Sequence, residues 1–355
     1  MKLAFPSTLL PVCLGLCLLL STNSCIDVID LNTVEVGEVL VIEGAVYAGG
    51  SLPSVTIRRS GAFVAGPDGV QQPVSGAKVS ITEVGGQTLE LEEVDAGIYQ
   101  GSTPIGTTGK EYTLQVEVDG NTYVSLTETM PERVALDEVS WEVRELTAES
   151  ESGNIVTNYQ FVLLADATLP DLEEGPYLRY RTESIYEYRE RSSASNISAS
   201  YCYIRDEVDL NNLAIIDGKN INQGQLINQP ILSKLVDSKF TWGVCFTAIQ
   251  QSISANAFNY WTSIQNEFER TGDIFESPPA KIKGNIFNTV STKNDVIGLF
   301  SAIASDSVKI HAIGLEVREI AGRTCQCQCW PPPQNESCSN CLSLSKSSLN
   351  KPECF

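Results

Sequence analysis

The chain has 355 residues, 42% of them hydrophobic and 19% charged, and its 44 Asp and Glu against 24 Lys and Arg leave a formal charge of −20. That balance excludes nucleic-acid binding, which relies on clustered Lys and Arg, and adhesion to anionic lipid through basic residues. A single histidine, His311, excludes an H-E-x-x-H zinc protease, and the sequence has no phosphate loop, dinucleotide fingerprint or G-x-S-x-G elbow.

The N-terminus has the order of a secretory signal. Lys2 supplies a positive charge, Leu9 to Leu20 an apolar core, and Ser21-Thr22-Asn23-Ser24 a small-residue cleavage region before Cys25. The core, about 12 residues, is too short for a helix to span the hydrocarbon of a bilayer. A cysteine directly after the cleavage region makes this a lipoprotein signal, although Thr22 stands where Leu is usual. Residues 1–24 are therefore predicted to be removed and Cys25 to carry lipid, several chains holding firmly where one would not. Secretion with Cys25 in a disulfide is the alternative. Residues 25–36 read as a tether.

From Glu38 the pattern becomes strand-like. EVLVIEGAVY, SVTIRR and GAKVSIT precede the clearest hairpin, EYTLQVEV-DGN-TYVSLTET, where period-2 runs flank Asp119-Gly120. Several such strands predict an immunoglobulin-like β-sandwich over 37–130. The longer region 131–323 is predicted to be a second β-rich domain. Its strand candidates are 156–165, 177–190, 239–250, 296–304 and 307–318, and 206–230 reads as loops. One helix is expected over 254–270, since Ala257, Tyr260, Trp261, Ile264 and Phe268 fall on one face of a 3.6-residue period. Ser252 or Ser254 would cap it. The fold class is mainly β.

The tail, 324–355, is rich in Cys and Pro and has little to build a core with. Once the signal is removed and Cys25 lipidated, eight cysteines remain: Cys202, Cys245, Cys325, Cys327, Cys329, Cys338, Cys341 and Cys354. In an oxidising compartment an even number reads as disulfides, with Cys202–Cys245 the expected pair inside the second domain. Zinc on the tail thiolates is the rival reading. No cofactor or resident metal is expected. Among the aromatics, Tyr186 and Tyr188 are the ligand-binding candidates, on one face of a strand among charges. The helix pair Tyr260-Trp261 reads as core.

Several stretches occur together and in order: CIDVIDLNT, VLVIEGAV, VSGAKVSITEVGG with GKEYTLQVEVDGNTYVSLTETMP, then FNYWTSIQNEFERTGDIFESPPAKIKGNIFN and VIGLFSA. In these the chain resembles the lipoprotein family of the Bacteroidetes known as domain of unknown function 4249, over most of its length to about residue 325. The resemblance implies an immunoglobulin-like or carboxypeptidase-regulatory-like sandwich and an outer-membrane, surface-exposed lipoprotein. Members are often encoded beside TonB-dependent receptors, which implies a non-enzymatic accessory role in nutrient uptake. A stand-alone carbohydrate- or peptide-binding lipoprotein is the alternative. The family supplies no catalytic residues to carry over, and the cysteine-rich tail departs from its pattern.

Overall fold

The computed structural model describes residues 39–60, 72–149, 153–171, 175–190, 200–206, 213–221, 224–270, 282–290, 296–322 and 340–355. Cys25, the signal, the tether and Cys325, Cys327, Cys329 and Cys338 lie outside the described residues.

The protein is mainly β. Its first strands are β1 (Leu40–Tyr47), β2 (Ser54–Arg59), β3 (Gln72–Pro73), β4 (Lys78–Glu83), β5 (Thr88–Asp95), β6 (Ile98–Gln100), β7 (Glu111–Val118), β8 (Asn121–Ser125) and β9 (Glu128–Thr129). Then come β10 (Glu138–Glu149), β11 (Ile155–Thr168), β12 (Tyr177–Arg189), β13 (Tyr201–Arg205), β14 (Ala214–Asp217), β15 (Gln225–Leu235) and β16 (Gly243–Ile253). Helix α1 (Ala255–Phe268), β17 (Ile286–Asn288), β18 (Val296–Ile313), helix α2 (Gly314–Ala321) and β19 (Ser347–Ser348) complete the order.

The β7–β8 hairpin turns where its sequence says it should. Asp119 and Gly120 both have positive φ, 50° and 73°, the conformation an Asp-Gly pair supplies at least steric cost. Strands β4, β7, β8 and β17 form one layer of the first lobe, and β1, β2, β6 and the first half of β18 form the other. Strand β5 serves both, pairing β4 through Thr88–Leu91 and β6 through Glu92–Asp95. Ile42, Val55, Ile57 and Phe300 from one layer meet Ile81, Tyr112, Leu114 and Val116 from the other. The chain leaves this lobe after Met130 and returns to it at β17.

Strand β18 builds both lobes. Val296–Ile303 run parallel to β1, and Ala304–Ile313 run antiparallel to β16. Because strand side chains alternate, the even positions Phe300 and Ala302 fill the first core and Val308, Ile310 and Ala312 the second. Glycine is required at Gly298, where φ is +122° and a Cβ would strike the Ile42 carbonyl.

The second lobe packs the sheet β10–β11–β15 against β12, β16 and the second half of β18. At its centre Phe161 stacks on Phe246 and Phe240, each 4.9 Å away between centroids. The linker between lobes is bound to this sheet. Gln250 Nε2 donates to the Val134 carbonyl at 2.8 Å, Val134 N to Ser252 Oγ at 3.1 Å, and Leu136 N to Asp306 Oδ2 at 3.1 Å.

Three expectations are corrected here. The candidates 296–304 and 307–318 are one strand through Ser305-Asp306, and residues 314–318 are helical. Asp306 is tolerated mid-strand because the linker amide and Arg133 bond its carboxylate. Within 206–230, Ala214–Asp217 and Gln225 onward form strands whose half-exposed setting suits their polar residues. Cys202 does not pair with Cys245. Cys202 registers with Tyr188 and Cys245 with Ile185, so the two thiols stand on opposite faces of one sheet. Cys202 bonds Cys341 and Cys245 bonds Cys354, with Cα separations of 6.0 and 6.1 Å. The end of the tail thereby wraps the sheet edge, β19 pairing with β13 between the two bridges.

Candidate functional site

Helix α1 begins where the sequence places it. The Ser254 hydroxyl accepts from Ala257 N at 3.2 Å, and Glu128 fixes the same turn. That carboxylate, 1% exposed, accepts from Ser254 Oγ, from Asn256 Nδ2 at 3.1 Å and from Asn285 Nδ2 at 2.9 Å. Burial raises the Glu128 pKa against the lowering effect of these three donors. Farther along, Ala257 is buried against Ala45, Ile253, Leu299 and Ile303, and Phe258 stacks on Tyr177 at 4.6 Å. The helix is thus seated on the outer face of the shared sheet, across the junction of the lobes.

Beneath it runs a groove of about 400 Å³. Its floor is the outward face of four strands: Glu43, Ala45 and Tyr47 of β1, Leu299, Ser301 and Ile303 of β18, Arg179 and Arg181 of β12, and Gln251 of β16. Register brings these together, since Glu43 pairs with Leu299, Ala45 with Ser301 and Arg179 with Gln251. Ser54 and Thr56 of β2 close one side, and Tyr260 and Trp261 of α1 form the overhang.

Arg179 dominates the chemistry. Its guanidinium lies 3.5 Å from the Trp261 ring centroid, a cation–π stack that fixes the guanidinium plane. Nη1 donates to Gln251 Oε1 at 3.3 Å, and buried Nε has no hydrogen-bond partner. No carboxylate forms an ion pair with Arg179 among the described residues. Burial, and then the neighbouring Arg181 charge, push its pKa down to about 10. It is still a cation at neutral pH. Burial and the Glu43 charge push the Tyr260 phenol up to about 12, which keeps it a neutral donor. The groove therefore offers one stacked cation, a second cation, the Glu43 carboxylate, hydroxyl groups and aromatic walls.

The predicted ligand-binding tyrosines lie elsewhere. Tyr188 is 6% exposed and packs on the Cys202–Cys341 bridge with Ile204. Tyr186 is half-buried between the same cluster and the second core, with Lys239 Nζ 5.7 Å from its ring. Both belong to the even, inward face of β12, with Leu178 and Tyr180. The odd face of the same strand presents Arg179 and Arg181, which the sequence reading passed over. Two arginines at i and i+2 in so acidic a chain were the available signal. Tyr260 and Trp261 were expected in the core; they pack on the sheet and also line the groove. Among the described residues no cluster of His, Cys, Asp and Glu is placed to hold a metal ion. His311 faces the tail, its ring tilted against that of Phe355 at 4.7 Å between centroids, and burial lowers its pKa.

The profile of a domain of unknown function, DUF4249, matches residues 26–309. The chain belongs to the DUF4249 family. The DUF4249 segment contains every groove-lining residue and helix α1, while Cys341 and Cys354 lie beyond it. No curated protein matches the chain. Among solved structures, the adhesin InvE of Yersinia pseudotuberculosis aligns at 20% identity with a TM-score of 0.15, over 61% of this chain. The match spans 55% of that adhesin's length, and a likeness this slight carries no argument about fold or function.

Proposed function

We propose that this DUF4249 protein is a non-enzymatic lipoprotein of the outer membrane, displayed at the cell surface, that binds a small ligand in the groove under α1 and assists a TonB-dependent transporter in nutrient uptake. The observation that carries the binding role is the groove itself: a concave site with an aromatic overhang and an arginine stacked but not paired. Such sites hold ligands through a few fixed polar groups set among apolar walls. Arg179 remains charged at neutral pH, so it suits recognition better than proton transfer. Lipid attachment rests on the signal order ahead of Cys25, and the transporter partnership on what the family resemblance implies.

Two experiments test this reading. Cys25→Ala should move the protein from the membrane to the soluble fraction; retention in the membrane counts against the anchor. A detergent pull-down of the tagged mature protein, read by mass spectrometry, should recover a TonB-dependent receptor in stoichiometric amount. Recovery of the lipoprotein alone would reject the transporter role and leave a stand-alone carbohydrate- or peptide-binding lipoprotein.

A further inference from the structure

An arginine drawn partly out of water normally finds a carboxylate, because an uncompensated charge there is costly. This chain has 44 acidic residues, yet among the described residues Arg179 hydrogen-bonds the Gln251 amide oxygen and stacks on the Trp261 ring with no carboxylate in an ion pair. The acidic lining residue is Glu43, which is exposed; its charge favours the Arg179 cation but forms no ion pair with it. Stacking holds one face of the guanidinium, so its edge is what remains to bond a guest. That edge is a planar fork of N–H groups, and a carboxylate is the planar partner that matches it. Arg181, two residues on and on the same strand face, adds a second positive charge to the groove. Beside them, the half-buried Tyr47 and Tyr260 give aromatic surface for the body of the guest.

We infer that the groove binds a small carboxylate-bearing ligand, its anionic end against the Arg179 edge and its apolar or ring-shaped body along the Tyr47 and Tyr260 rings. This rests on the reading that the groove is the working site of the protein. It adds the ligand's chemical class, and it does not depend on the transporter partnership. Peptide C-termini and sugar acids share this chemistry, and the choice of body separates them.

The test uses the mature full chain and ligand-observed NMR with a panel of monocarboxylates with aliphatic, aromatic and sugar-acid bodies, each beside its uncharged amide. Carboxylates are expected to bind and their amides to bind roughly tenfold to a hundredfold more weakly, the loss of one charge-assisted pair. Arg179→Met should cause the same loss for the acids and leave the amides unchanged. Arg181→Met, at a half-exposed position, is the second variant if Arg179→Met does not fold; it should weaken the acids selectively as well. Equal binding of acids and amides, acid binding unchanged in a folded variant, or no binding by any acid would overturn the inference. A receptor recovered in the pull-down with no acid bound would sink this inference and leave the transporter role standing. Acids bound without a receptor would do the reverse.

Discussion

Asp206 sits where the second lobe meets its flanking turn, accepting from Lys234 Nζ at 2.9 Å and from Lys239 Nζ at 2.6 Å. Burial pushes its carboxyl up, but the two ammonium groups outweigh burial and hold it below the ordinary carboxylate range. A folded-state pKa below the unfolded one stabilises the fold above about pH 4, and that contribution is lost as pH falls through the folded value. Asp206→Asn is therefore expected to cost about 1–3 kcal/mol at pH 7, where it leaves two neighbouring cations uncompensated. It should also flatten the acid limb of the stability curve. Urea unfolding at pH 7 and pH 3 checks both, and a variant as acid-sensitive as the parent would count against the assignment.

At the scale of elements, the clamp formed by the tail invites the clearest test. The Cys202–Cys341 bridge closes a loop of 139 positions, and β19 covers the edge of β13 beside it. Cys341→Ser should lower stability by about 2–4 kcal/mol through the freed unfolded chain. It should also free the backbone at Lys346, whose carbonyl accepts from Arg205 N, for cleavage by trypsin, which mass spectrometry of a limited digest would report. An open edge strand is moreover a template for pairing with other chains, so the variant should aggregate sooner on warming. Elements with local signals were legible in the sequence: the Asp119-Gly120 hairpin, the Ser254-capped helix and the run of β12. What those signals do not carry is which face of an element looks inward. Along β12, aromatics stand at Tyr177 on one face and at Tyr180, Tyr186 and Tyr188 on the other, so alternation alone does not pick out the core. The groove stayed hidden for that reason, since its floor is the opposite face of a correctly placed strand. The bridge pattern was equally nonlocal, because whether two cysteines share a face depends on strand register.

For the whole molecule, the decisive feature is the strand common to both cores. Phe300 is fully buried in the first lobe, and truncating such a ring costs about 3–5 kcal/mol. Because the same strand continues into the second core, Phe300→Ala should weaken the two lobes together. Hydrogen exchange followed by mass spectrometry would show faster exchange in β16 as well as in β7. Acceleration confined to β7 would mean that the lobes unfold independently. A fragment of residues 37–130 lacks both β17 and the β18 segment that pairs with β1, and it is expected to remain unfolded. Periodicity revealed the strands of each lobe, but a partner so distant in sequence leaves no local trace.

The pairing of β1 with β18 also sets a timetable. A ribosome delivers Leu40 long before Val296, and the parallel ladder between them cannot zip until both exist. Until then the growing chain lacks one strand of each layer, β17 and the first half of β18, with Ile42 and Ile57 still lacking Phe300. Contacts this far apart in sequence form slowly, and a nascent chain held open in this way stays threadable through a narrow pore for most of its synthesis.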